Sequence, residues 1–171
     1  MQRRGIRTLR IVSILKKVGL LAALGAVGYG GYLYYLSSRP ALPEVGADWV
    51  AQQYLLCLQT KDYQDAYLLA SESAQGQTNP GMMAETCKEV YSAIDGWQFG
   101  VPKYAFTHAS ASVPVTLRYR PAWSPQDTSS MDGAMDFKLE NGEWRLVVAV
   151  PFATAIMKQR DEQHFAGKRQ Q

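Results

Sequence analysis

The side chains able to do chemistry are few and scattered along the chain. His108 falls on the polar register of a predicted strand and His164 lies in the C-terminal tail. Neither belongs to a set of Cys or carboxylate residues at ligand spacing, so no metal site is expected. The glycines Gly28, Gly30 and Gly31 lie inside an apolar run rather than a phosphate-binding loop. The serines lack a G-x-S-x-G context or a matched His and Asp, so no nucleophile is assigned and no cofactor is implied. Cys57 and Cys87 fall on the apolar faces of two predicted helices and should both point inward. Two readings follow. In an oxidising compartment they could pair, closing a loop of about 30 residues worth roughly 3–4 kcal/mol. Otherwise they are separate buried thiols acting as small hydrophobes.

Charge is distributed unevenly. Arg3, Arg4, Arg7, Arg10, Lys16 and Lys17 put six positive charges and no acid in the first 17 residues, while the remainder carries 12 basic against 15 acidic residues. The net charge of +3 therefore belongs to the tail, and no basic folded face points to nucleic acid.

Residues 18–36 (VGLLAALGAVGYGGYLYYL) contain no charge. A helix of that length would cross most of a ~30 Å hydrocarbon core. Lysines before it and tyrosines at its far end predict a signal-anchor with the N-terminus cytoplasmic and the rest periplasmic or extracellular, at a cell (inner) membrane. A cleaved signal peptide would have a shorter apolar region and a nearby small-x-small site, whereas Val45-Gly46-Ala47 lies far downstream. A mitochondrial presequence is a third reading of the Arg-rich, acid-free start. Ala22, Ala26 and Gly30 recur every four residues, a spacing that lets two membrane helices approach closely.

The elements that must position these residues follow from periodicity. After a 1–17 tail, the 18–36 span and a proline-bearing 37–46 linker, a domain is expected over 47–152, with a partly helical or disordered 153–171 tail. Asp48 is the expected N-cap of a helix to about Gln59, with Val50, Tyr54, Cys57 and Leu58 on one face. Asp62 should cap a short second helix, residues 73–78 read as a loop, and Asn79-Pro80 starts a third helix. That helix carries Met83, Cys87, Val90, Tyr91 and Ile94, and Gly96 should end it. Then the period changes to two. Trp97, Phe99 and Val101 suggest a first strand; Ala109 to Tyr119 alternate with polar residues; Met135, Phe137 and Leu139 repeat the pattern. Asn141-Gly142 marks a hairpin into Trp144, Leu146, Val148 and Val150. The expected fold class is α+β: an N-terminal transmembrane helix, then a cone-like domain of three helices on a curved antiparallel sheet of about four strands.

The run Leu58-Gln59-Thr60-Lys61-Asp62-Tyr63-Gln64-Asp65-Ala66-Tyr67, with this element order, resembles the first helix-turn-helix of the nuclear-transport-factor-2-like, or cone, superfamily. The resemblance spans Asp48 to about Phe152. It implies a curved sheet wrapped around helices and a cone-shaped pocket, which enzymes of the group furnish with Asp, His or Tyr. Here the buried registers supply apolar and aromatic residues and no carboxylate or histidine.

A non-catalytic, membrane-tethered domain for protein binding or envelope complex assembly is therefore expected. The alternative is a small hydrophobic ligand carrier or enzyme using the cone, lined by Tyr54, Tyr67, Trp97, Tyr119 and Trp144; in the plainer reading those aromatics fill the core. A homodimer built through the small-residue ribbon is the third reading.

Overall fold

The computed structural model describes residues 27–34 and 42–168, the last six by backbone alone. The chain forms two compact units, Met1–Arg39 and Pro40–Gln171. In the first, residues 27–34 form the helix α1, with Tyr29, Tyr32 and Tyr34 exposed. This corrects the expected anchor. Among the described residues no helix is long and apolar enough to cross a membrane. Of the 18–36 run, residues 18–26 and 35–36 lie outside the described residues. The single-pass, signal-anchor and inner-membrane assignments, which rested on that span, are overturned with it. Of the ribbon residues, Gly30 lies in α1 with open space around it; Ala22 and Ala26 lie outside the described residues.

The second unit opens with α2 (Ala47–Thr60). Its N-cap is Gly46, and Asp48 sits in the first turn, where a carboxylate suits the positive end of the helix. Lys61 ends the helix in the left-handed region (φ 63°). Its N–H donates to the Leu58 carbonyl at 3.2 Å, and the Asp62 N–H donates to that of Cys57 at 2.7 Å, a Schellman closure without glycine. As expected, the Asp62 carboxylate caps α3 (Tyr63–Leu68), accepting from the Asp65 N–H at 3.1 Å. Part of the expected loop is instead a short helix, α4 (Glu72–Gln75), capped by Ser71. Asn79 caps α5 (Pro80–Val90), accepting from the Met82 N–H at 2.9 Å with Pro80 in the first turn.

The sheet is antiparallel and curls into a half-barrel. Its strands are β1 (Tyr91–Phe99), β2 (Lys103–Tyr104), β3 (Ser110–Pro121), β4 (Ser129–Glu140) and β5 (Glu143–Leu146). They run in the order β1-β3-β4-β5, with β2 also pairing with β3. Tyr91 and Ile94 therefore belong to a strand, not to the third helix, and Gly96 adjoins a register shift rather than ending a helix. Asn141 (φ 53°) and Gly142 (φ 82°) form the two-residue β4–β5 turn, as their sequence predicts. The last strand is shorter than expected: it ends at Leu146, and Val148 is exposed. His108 lies in the turn before β3, not on the strand, at φ 57°.

Ala111, Val113, Val115, Leu117 and Tyr119 of β3, with Met135 and Phe137 of β4, form the buried face. Helix α2 lies against β1, β3 and β5. Asp136 is exposed on the opposite register. Phe152 and, on the helix α6 (Ala153–Lys168) that follows it, Ala153 and Ile156 are all buried and close the domain. The Phe152 ring rests on Gly133: a Cβ there would stand 2.7 Å from the Phe152 Cε1.

Candidate functional site

The five aromatics proposed for a pocket do not share one. Tyr54 on α2 and Tyr119 on β3 are fully buried. The Tyr54 hydroxyl donates to the Ala149 carbonyl, and that of Tyr119 donates to the Gln159 Oε1 at 3.1 Å. Tyr67 is half-buried at the end of α3, its hydroxyl 3.4 Å from the Gln75 carbonyl. Trp97 packs half-buried against the core from β1. Trp144, on β5, is buried against the ring of Tyr104 at 5.6 Å and alone of the five reaches the cleft described below.

The two cysteines are free thiols, which corrects the disulfide reading. They sit in different surroundings. Cys87 is buried among Tyr54, Tyr63 and Tyr91, and desolvation pushes its thiol up to about 12. Cys57 is half-buried near Asp62 and Asp65; desolvation first, then those carboxylates, raise it. Tyr91 stands edge-on to Tyr119 at 6.0 Å, and its buried hydroxyl has no hydrogen-bond partner among the described residues. Desolvation raises the pKa of Tyr91 and of Tyr54. The strongly shifted groups thus lie in the core.

The candidate site lies at the other end of the sheet, in a cleft of about 420 Å³. The segment entering the domain supplies Pro43, Glu44 and Val45; α2 supplies Trp49 and Val50; the turn after α3 supplies Leu69; the β4–β5 hairpin supplies Gly142 to Arg145. Trp49 falls one residue before Val50, which buries its side chain, and is therefore turned outward with 52% of its surface exposed. Val45 is 44% exposed, while Trp144 opposite is 3% exposed, so the walls are apolar and partly uncovered. The Arg145 guanidinium is committed to the Glu143 carboxylate and the Leu68 carbonyl. Glu44 stays exposed at the rim. Such a surface can bind an apolar group and favours a cation beside it, through carboxylate charge and the indole face.

Sequence reasoning found Trp144 and missed the rest of this cleft. One signal was available. Trp49 interrupts the outward face of an amphipathic helix, where a large apolar residue has no core to fill.

No protein-family model matches this chain. No curated protein matches it either. Among solved structures it is similar to the solution structure of a SEC-C motif containing protein from Rhodopseudomonas palustris, at 10% identity and a TM-score of 0.51, over 59% of this chain and 74% of that one. It also matches a crystal structure of a SEC-C motif containing protein from Psychrobacter arcticus, at 9% identity and a TM-score of 0.49, over 66% of this chain and 63% of that one. At such identities the first likeness shows the fold alone.

Proposed function

We propose that the domain is a non-catalytic binding module and that a protein partner occupies the cleft beside β5. The observation that carries this reading is the pairing of half-exposed Trp49 and Val45 with buried Trp144 across an apolar cleft, under a rim carboxylate. Exposed tryptophans beside apolar hollows are the usual anchors of protein interfaces. The groups whose pKa values are strongly raised, Tyr54, Tyr91 and Cys87, lie in the core and away from this cleft, which favours binding over acid–base chemistry. The cone-fold reading is part of the same proposal, supported by helices preceding a curled antiparallel sheet. A small hydrophobic ligand is the second reading, since the cleft volume falls within the range of ligand sites.

A photo-crosslinking residue placed at exposed Gln52, one turn along α2 from Trp49 so that the indole stays in place, with one at exposed Met82 on α5 as control, tests the proposal in cells. One identified protein should crosslink at 52 and not at 82, and the purified pair should bind with an affinity that Trp49→Ala reduces. Identical adducts at both positions, or none at 52, would reject the reading.

A further inference from the structure

We infer that the partner enters this cleft as an extended strand that pairs with the main chain of Trp144; the inference rests on the cleft being the binding surface. The argument begins with hydrogen-bond alternation. Along a strand, successive residues direct their N–H and C=O groups to opposite edges, so residues two apart share an edge. The Leu146 N–H donates to the Leu69 carbonyl at 3.0 Å, and its carbonyl accepts from the Ser71 N–H at 2.8 Å. Both Leu146 groups therefore point away from β4, into a parallel bridge with Ala70. Trp144, two residues earlier, must point its N–H and C=O the same way.

Its partner across the ladder agrees. Leu139 lies opposite Trp144, and the Leu139 N–H turns away from β5 to the Ala109 carbonyl at 2.9 Å. Leu139 and Trp144 are thus a pair that exchanges no main-chain bonds. The segment Leu69–Ser71 covers the β5 edge at Leu146 and no further, because the chain before it coils into α3 and ends at Leu68. Beyond that point Trp144 lines the cleft together with Pro43, Glu44, Val45 and Trp49. Among the described residues, no hydrogen bond outside the ladder reaches the Trp144 main chain.

A main-chain N–H and C=O on an edge without a neighbouring strand can take one, and an extended peptide supplies both complements at once. A strand laid along this edge would direct alternate side chains toward Trp49 and Leu69, and the intervening ones outward past Glu44. The occupant this fits is a short extended segment with an apolar residue beside a basic one. Arg145, already held by Glu143, does not oppose that positive charge.

The test is selection of displayed random peptides on the full chain, followed by measurement on the peptides obtained. Their affinity should fall at least about tenfold with Trp49→Ala, and basic residues should be enriched beside an apolar one. On binding, amide exchange at Trp144 should slow. N-methylation of one backbone position in the peptide should weaken binding about tenfold, with the adjacent position tolerant. Peptides that depend on Trp49 yet leave Trp144 exchange unchanged and tolerate N-methylation throughout would overturn the strand pairing while the cleft survives as a docking site. Selected acidic peptides would overturn the assigned charge. Failure to select any peptide dependent on Trp49, with no adduct at position 52 in cells, would overturn both the pairing and the proposed function.

Discussion

Tyr54, Tyr91 and Tyr119 lie packed in the core, and two of their three hydroxyls are tied to Ala149 and Gln159. At the β5 end, Trp49 and Trp144 line an open cleft, and among the described residues no hydrogen bond outside the ladder reaches the Trp144 main chain. Both regions are aromatic. The difference lies in how far the fold has satisfied them. Aromatic content alone does not mark a binding site; partial exposure and unpaired main chain do.

The widest separation between the two regions should appear in stability. Tyr54→Ala empties a fully buried site and strands the Ala149 carbonyl, so denaturant titration should show a loss of about 3–5 kcal/mol. Trp49→Ala should stay within about 0.5 kcal/mol of the parent, because its side chain is half in solvent. Comparable losses at both positions would make Trp49 part of the core and dissolve the comparison.

Gly133→Ala probes how tightly the core is closed by α6. The new methyl would meet the Phe152 ring, and the cost should be about 1–3 kcal/mol by thermal or chemical melting. In a Phe152→Leu background the same change should cost measurably less. An equal cost in both backgrounds would place the strain elsewhere.

Alkaline pH separates the regions by titration. The folded-state pKa of Cys87 is raised from 9.0 to about 12, so its neutral thiol contributes fully to stability below pH 9. That contribution drains away as pH rises from 9 toward 12, and the raised tyrosines add to the loss at the upper end. Denaturation midpoints should fall over that window, less steeply in Cys87→Ala. In native protein near neutral pH, Cys87 should resist thiol reagents, and after unfolding without reductant both cysteines should label fully.

A smaller effect, in the opposite direction, is expected at Lys61. Its left-handed backbone strains a side-chain-bearing residue, so Lys61→Gly should raise stability by up to about 1 kcal/mol. Unchanged or lowered stability would show that the lysine side chain contributes more than the backbone strain costs.

Where one local rule acted alone, the fold was legible from the residues. Strict alternation through Val113, Val115 and Leu117, the Asn141-Gly142 turn and the Asn79-Pro80 helix start all reappear in the structure. The third helix was overrun for a physical reason. Register shifts at Tyr91/Ala93 and Ile94/Gly96 leave Tyr91 and Ile94 buried three residues apart, the spacing of a helical stripe. A bulged strand thus imitates a helix. The apolar run at 18–36 matched a membrane span in composition, yet no described helix has the length and apolarity to cross one. The cleft was illegible because its walls come from positions near 45, 49, 69 and 144, which no period connects.

The measurement closest to the central claim is the dissociation constant of the partner crosslinked at position 52, taken with the parent chain, Trp49→Ala and Met82→Ala. The cleft reading expects Trp49→Ala to weaken binding about thirtyfold or more with an unchanged melting temperature, and Met82→Ala to match the parent. Equal affinities for the parent and Trp49→Ala would contradict it.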